Sequence, residues 1–281
     1  MKPAGYLSKS QTHRTFLILL ACCALFPFSA SYPQNLLPEK GTWYQPILSY
    51  PGNCQTNIFL SLKDGNKFGG SIGKIFPVWH LSRFKSDQYF AGIANIKTLT
   101  LREGTIFNLR DVDYLLGGGW FAHWTDNYWS TLTIQHISSH LGDSFFHEKY
   151  QNRPRKQPLV FSLEFVQVAN QLKWKQFKFE SGVLHIYHTT IPLSKVNVYL
   201  GMERNLIQLS GYGHLFFSAN YAYAISELHP LQQIYQIGFR LNFPAVIPAN
   251  FIFEAKKGQL FWGQFYNTRE LDYLIKLYLT I

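Results

Sequence analysis

Three side chains that could carry out hydrolysis stand at every second position of one short stretch. They are His136, Ser138 and His140, and a β-strand would place all three on one face. A serine becomes a nucleophile when a nearby histidine removes its proton and a third group orients that histidine. Asp143 and Glu164 are the acidic residues that could orient it. These residue types therefore form a candidate set for nucleophilic catalysis.

A structural role explains the same residues. Serine and histidine are common at the polar ends of strands. The run His140-Leu141-Gly142-Asp143 is typical of a turn in which glycine adopts positive φ and aspartate bonds the backbone. His136 and His140 would lie about 13 Å apart on one strand, which disfavours a metal site that also uses Asp143 and His147. We therefore expect no metal and no cofactor, and the structural and catalytic interpretations both stay open.

The elements that would hold these residues are predicted by a two-residue alternation of apolar with small or polar side chains. Each such segment is a strand with one apolar face. The alternation is clearest in residues 195–203, 215–226, 234–243 and 271–281, and weaker in 57–62, 70–78, 89–97, 112–123, 128–140, 159–168, 177–188 and 250–255. These make twelve predicted strands, an even number, as a single-chain bacterial barrel requires when both termini lie on one side.

Composition agrees with a membrane-spanning sheet. Hydrophobic residues make up 47% of the chain and the mean hydropathy is −0.09, yet 17% of residues are aromatic. Alternating lipid-facing and lumen-facing positions produce this balance, with aromatic girdles at both interfaces. The predicted fold class is all-β: an antiparallel transmembrane β-barrel of about 12 strands that follows an N-terminal signal peptide. A periplasmic β-sandwich is the less favoured alternative.

The first residues predict export. Residues 1–15 are basic, 16–28 are apolar, and Ser29, Ala30 and Ser31 are small, which is the order of a secretory signal peptide. The apolar run is shorter than the ~20 residues that a membrane helix needs. We predict a signal peptide at 1–31 and an outer-membrane barrel domain at 32–281. Lipidation at Cys22 is the alternative. After cleavage at Ser31 Cys54 is the one remaining cysteine, so no internal disulfide is expected.

Orientation and charge suggest partners. With the amino end in the periplasm, predicted strand 128–140 points outward and leads into the long basic loop 141–158. The net charge of +10 favours anionic partners such as lipopolysaccharide, and nucleic acid is not expected for an exported chain without dense Lys/Arg runs. A last strand that ends at Ile281 fits insertion by the barrel-assembly machinery, and outer-membrane lipids would surround the barrel.

Two expectations concern the barrel wall itself. Charged residues on its inner face should pair inside and leave little open channel in a twelve-stranded barrel; they are Lys195, Glu203 and Arg240. A cluster of tryptophans around one short turn is typical of an interfacial girdle; it comprises Trp120, Trp124 and Trp129.

The run at 136–143 resembles the signature of a bacterial family catalogued as domain of unknown function 1207, roughly His-x-Ser-Ser-His-Leu-Gly-Asp-Glu-Phe. Further pieces agree in order: Asp113-Tyr114, Ser162-Leu163-Glu164, Gly201-Met202-Glu203, Phe253-Glu254 and Gly263-Gln264-Phe265-Tyr266. The sequence departs at Ser144, where the family usually has Glu, and in part at 251–257. The resemblance implies an outer-membrane-type barrel without an established activity.

The His-x-Ser spacing is also similar to that of outer-membrane phospholipase A and lipid A deacylase barrels. This resemblance implies that His136 is the general base and Ser138 the nucleophile, on the outer-leaflet side. Two functions follow as hypotheses. The first is a structural or narrow-channel surface barrel in contact with lipopolysaccharide. The second is an outer-membrane lipid hydrolase that uses His136, Ser138 and an acidic partner.

Overall fold

The computed structural model describes residues 44–50, 54–63, 65–82, 86–103, 105–141, 161–210, 213–225, 229–241, 249–259 and 269–279. Within these ranges the regular structure consists of strands alone. They are β1 Thr56–Ser61, β2 Lys67–Ser82, β3 Asp87–Glu103, β4 Ile106–Thr125, β5 Tyr128–Leu141, β6 Phe161–Trp174, β7 Phe177–Thr189, β8 Val196–Ser210, β9 Gly213–Ala224, β10 His229–Leu241, β11 Ala249–Gln259 and β12 Arg269–Leu279. These ranges contain no helix of the length and hydrophobicity needed to cross a membrane. The predicted signal peptide lies outside them.

The twelve strands form one closed antiparallel barrel. Each strand pairs with the next along the chain, and β1 pairs with β12 to close the cylinder. The prediction of an all-β barrel with twelve strands is confirmed. Several strands are longer than predicted. For example, β4 extends beyond the predicted range 112–123 at both ends. Strand pairing continues beyond the membrane band, where both faces meet water and the sequence no longer needs to alternate.

The outer face of the wall is apolar, unlike that of a water-soluble protein, and the inner face combines polar with apolar side chains. Outward residues such as Ile72, Ile134 and Leu200 are 75%, 57% and 60% exposed. Inward residues such as Gln171 and Glu254 are buried. An apolar belt of this extent would drive aggregation in water. In lipid it is the favourable surface, and closure of the sheet satisfies the backbone hydrogen bonds.

A short segment before β1 lies inside the barrel. We call residues 44–50 the luminal segment. Its Ile47 is fully buried, and the backbone N–H groups of Ile47 and Leu48 donate to Glu180 Oε2 at 3.1 Å and Glu203 Oε2 at 3.2 Å. Both carboxylates belong to strands of the wall, β7 and β8. The luminal segment therefore fills part of the interior.

Interior charge pairing is confirmed in part. Arg240 Nη2 donates to Glu203 Oε1 at 2.8 Å inside the barrel. The prediction for Lys195 is wrong, because this residue precedes β8 and is exposed. The girdle prediction is wrong for Trp129, which is 3% exposed. Its position in β5 shares the inward parity, so its ring fills the lumen beside Tyr44 of the luminal segment.

An arginine on the lipid face should destabilise the barrel according to its depth. For Ile134→Arg, near the middle of β5, we expect a loss of about 2–4 kcal/mol of unfolding free energy, and for Leu172→Arg, near the end of β6, about 0–1 kcal/mol. The measurement is urea unfolding of the barrel refolded in lipid vesicles. Equal losses at the two positions would contradict the lipid-facing assignment.

The thiol of Cys54 should be protected in the folded barrel. Burial raises its pKa to about 12, so at pH 8 its thiolate is about a thousandfold scarcer than that of an ordinary cysteine. Maleimide labelling of Cys54 should be slow by a comparable factor in the folded protein and fast in denaturant. Equal rates would show that the start of β1 is not packed as described.

Candidate functional site

The predicted histidines and serine lie on the outer face of β5. His136, Ser138 and His140 are partly or fully exposed, whereas the residues between them are buried toward the lumen. Ile137 and Ser139 are 2% and 3% exposed. The site therefore faces the surroundings of the barrel and not its interior.

His136 faces a carboxylate on the next strand. It is directly opposite Glu164 of β6 in the strand register, and its Nδ1 lies 3.5 Å from Glu164 Oε1. The other ring nitrogen, Nε2, is left for a further partner. The exposure of the two side chains, 44% and 34%, makes their attraction weak in water. The pair places an acidic side chain beside Nδ1, where a group that orients the imidazole would stand.

Ser138 stands between two other hydroxyl-bearing side chains. In the register, Tyr114 of β4 lies opposite it on one side and Ser162 of β6 on the other. Directly opposite residues of antiparallel strands have Cβ atoms about 4.5–5.5 Å apart. Within the described ranges no hydrogen bond joins Ser138 to His136. Such bonds are often long before substrate binds.

The five predicted site residues are not all brought together. His136, Ser138 and Glu164 share one patch of the outer wall, which we call the outer polar patch. His140 lies nearer the end of β5, where its ring meets Tyr114 edge-on at 5.8 Å. Asp143 lies outside the described residues. Of the two acidic residues considered, the structure thus places Glu164 beside the histidine.

The sequence missed a second histidine in the outer polar patch. His188 of β7 is opposite Glu164 in the register, with its Nδ1 3.8 Å from Glu164 Oε2. Strict alternation along β7 would turn His188 inward, because Ile186 is buried. A β-bulge shifts the register between Ile186 and His188, so Tyr187 and His188 both face outward. Bulges re-aim side chains in this way, and alternation alone does not reveal them.

The outer polar patch lies near one end of the barrel. Ser138 is close to Leu141, where β5 ends, about 10 Å along the strand. Residues 142–160 connect this end to β6, whereas the opposite ends of the same strands join through the tight turns at 126–127 and 175–176. Long connections on one side and short turns on the other are typical of outer-membrane barrels, with the long ones outside.

In the ranges that the structure covers, no group of three or more His, Cys, Asp or Glu side chains is arranged to hold a metal ion.

Comparisons with known proteins identify the fold. No protein-family model matches the chain. No curated protein matches it in sequence. Among solved structures, outer membrane phospholipase A from Escherichia coli is similar, with a TM-score of 0.57 and 11% identity over 83% of this chain and 94% of that chain.

Two further structures agree. The calcium-bound dimer of the Salmonella typhi outer membrane phospholipase has a TM-score of 0.57 and 11% identity, covering 85% of this chain and 94% of that chain. An active-site mutant of the Escherichia coli enzyme has a TM-score of 0.55 and 12% identity, covering 84% and 93%. At such identities the likeness concerns the fold alone. The chain has an outer-membrane β-barrel fold, which supports a place in the outer membrane.

Proposed function

We propose that this protein is an outer-membrane lipid hydrolase, with Ser138 as nucleophile, His136 as general base and Glu164 as the residue that orients His136. One observation carries the proposal: Glu164 holds the Nδ1 side of His136 on the same lipid-facing patch as Ser138. This arrangement leaves Nε2 for the serine proton, as nucleophilic catalysis by serine requires.

The proposed reaction proceeds in two halves. Ser138 Oγ attacks the carbonyl carbon of an acyl ester while His136 Nε2 takes the hydroxyl proton. The ester bond then breaks, the alcohol leaves with the proton from His136, and the acyl group remains on Ser138. Water, deprotonated by His136, attacks the acyl carbon; the bond to Ser138 Oγ then breaks, His136 returns the proton to Oγ, and the fatty acid is released. The hydroxyl groups of Tyr114 and Ser162, which flank Ser138 in the register, are candidates to stabilise the oxyanion.

The position of the patch selects the class of substrate. A site on the outer wall, near the strand ends that carry the long connections, meets lipid at the depth of its ester groups. Phospholipids and lipid A both offer acyl esters there. The fold likeness to outer membrane phospholipases supports lipid as the substrate class.

Several further expectations belong to the same proposal. The chain is exported by the signal peptide at 1–31 and inserted by the barrel-assembly machinery. It is a member of the family catalogued as domain of unknown function 1207, and its basic loop contacts lipopolysaccharide phosphates. The loop residues at 149–156 lie outside the described ranges, so the net charge of +10 is what supports this contact.

A steadily open narrow channel is the less favoured function. The luminal segment fills part of the interior, and Tyr50 of that segment stacks on Tyr199 of the wall at 4.3 Å. An obstruction of this kind disfavours constant permeation. The outer polar patch, by contrast, needs no passage through the barrel.

Removal of either proton-transfer partner should abolish lipolysis. Ser138→Ala and His136→Ala should each lower kcat/KM by about a thousandfold or more. The assay measures fatty acid release from phospholipid and from lipid A by protein refolded in detergent. Ser130→Ala, an outward serine of the same strand, is the matched control and should keep full activity. No release by the unmodified protein, or full release by both variants, would reject the hydrolase.

Replacement of the orienting carboxylate should lower kcat and leave KM nearly unchanged. Glu164→Gln keeps the size of the side chain and loses its charge, so we expect kcat to fall by about 10²–10⁴. His188 lies beside the other oxygen of Glu164, Oε2, and not beside His136. His188→Gln should therefore change kcat by less than about tenfold. Steady-state kinetics of variants with unchanged urea midpoints provide the test. A kcat for Glu164→Gln within twofold of that of the unmodified protein would show that Glu164 has no part in the mechanism.

A further inference from the structure

We infer that the barrel is a closed pore and that the luminal segment, residues 44–50, is the plug whose displacement makes it permeable to ions. This function is separate from the proposed lipid hydrolysis, because the plug lies in the lumen and the outer polar patch faces lipid. The evidence is the way the wall holds the segment and the charged cavity that ends at it.

The wall supplies acceptors for the backbone of the plug. Ile47 N–H donates to Glu180 and Leu48 N–H to Glu203. Both carboxylates are held in turn by the wall: Tyr199 donates to Glu180 Oε1 at 3.1 Å, and Arg240 donates to Glu203. The plug is therefore anchored by two hydrogen bonds to buried carboxyl groups, and the one to Glu203 is charge-assisted because this carboxylate also pairs with Arg240.

The wall also supplies donors to the carbonyl groups of the plug. Gln171 Nε2 donates to the carbonyl of Gln45 at 2.9 Å. Gln236 Nε2 donates to the carbonyl of Leu48 at 3.4 Å. A strand would satisfy its backbone by pairing with another strand. Here side chains that point into the lumen do so, as they would for a peptide bound in a site.

Side chains of the plug fit particular places on the wall. Ile47 lies against Gly201, where an added Cβ would overlap Ile47 Cδ1. Ser49 Oγ is 2.7 Å from Ser218 Oγ. Glycine at position 201 therefore leaves the room that Ile47 occupies, and a larger residue there would expel it.

A cavity of about 130 Å³ with a charged lining adjoins the end of the plug formed by residues 48–50. Leu48, Ser49 and Tyr50 line it, together with four lysines and four carboxylates of the wall: Lys67, Lys97, Lys256, Lys276, Asp111, Asp113, Glu254 and Asp272. Because the charges are balanced in number, a pore that continues this cavity should discriminate weakly between anions and cations.

The plug separates the two ends of the barrel. The cavity reaches Lys67 and Asp272, which lie near the ends that carry the longer connections of β2 and β12. Tyr44, at the other end of the plug, contacts Phe121 and Trp129 beside the tight turn of β4 and β5. The plug therefore stands between the charged cavity and the end of the barrel with the tight turns.

The test is the conductance of full-length variants in planar lipid bilayers. The unmodified barrel should be almost silent. Gly201→Leu, which expels Ile47, should conduct, whereas Leu200→Ala, an outward change at the neighbouring position, should not. The double variant Glu180→Gln, Glu203→Gln keeps the shape of the site and replaces both carboxyl acceptors of the plug by amides, so its open probability should rise about a hundredfold.

A reversible lock makes the result specific to the plug. The pair Ser49→Cys, Ser218→Cys, in a Cys54→Ser background, places two thiols where the hydroxyl oxygens now touch, which suits a disulfide. Combined with Gly201→Leu or with the double glutamine variant, the lock should silence conductance when oxidised and restore it when reduced. In an unlocked barrel, maleimide labelling of Ser49→Cys reports whether the plug has left its place.

The outcomes decide the inference. Conductance that appears only when the plug is displaced and that vanishes with the disulfide supports it. Folded variants whose Ser49→Cys thiol is labelled rapidly, yet which pass no current, overturn it. So does a barrel that conducts equally with the disulfide intact, since its current would then bypass the plug. If Gly201→Leu does not fold, the double variant Glu180→Gln, Glu203→Gln provides the same test.

Discussion

The constraint on which the rest of this structure depends is that a backbone N–H or C=O in hydrocarbon has no water to bond. Each strand must therefore have a partner on both sides, and the sheet must return to its starting point. In this chain the return is the pairing of β1 with β12. β1 is the shortest strand, Thr56–Ser61, and still pairs along its length with Ile58 opposite Leu277. Closure is thus achieved by few residues at the seam.

Closure leaves an apolar outer face toward lipid and creates a second requirement inside the barrel. Polar side chains that point into a narrow lumen are removed from bulk water, and buried polar groups need partners. Glu180 and Glu203 meet this need through the plug's N–H groups, and Lys276 meets Glu254 at 2.6 Å. The plug is therefore part of how the interior is satisfied, as well as an obstruction. The hydrogen bonds that satisfy these buried carboxyl groups also hold the plug in the lumen.

Much of this could be predicted from the sequence, and the exceptions have physical causes. Alternation predicts a strand whenever one face meets lipid, so all twelve strands and the shared outward face of His136 and Ser138 were predictable. Trp129 was assigned to the wrong side because an aromatic residue suits both an interface and a lumen that holds aromatic partners. His188 was missed because a bulge changes parity without a mark in the sequence.

The plug was missed for a different reason. Residues 44–50 carry no alternation, because the segment lies inside the barrel and has no side that meets lipid. Their partners are single polar residues on distant strands, and a pattern along the chain says nothing about them. The large polar side chains at inward positions were the available signal. A buried carboxyl group such as Glu180 in a predicted strand needs donors, and the sequence does not say whether neighbouring strands or another segment supply them.

The location of the outer polar patch follows from the same polarity. A lipid reaches the outside of a barrel by lateral diffusion, so the proposed hydrolase would need no cavity, and the groups proposed for its catalysis are three outward residues on adjacent strands. Outward polar residues are unfavourable at the middle of the bilayer and tolerated near its interfaces. Ser138 and Glu164 lie three residues from the strand ends that carry the long connection, and His136 lies five residues from that end, so the patch stands between the middle of the wall and this edge. The side of the wall that tolerates such residues is also the side nearer the lipid esters that the proposed hydrolase would cleave.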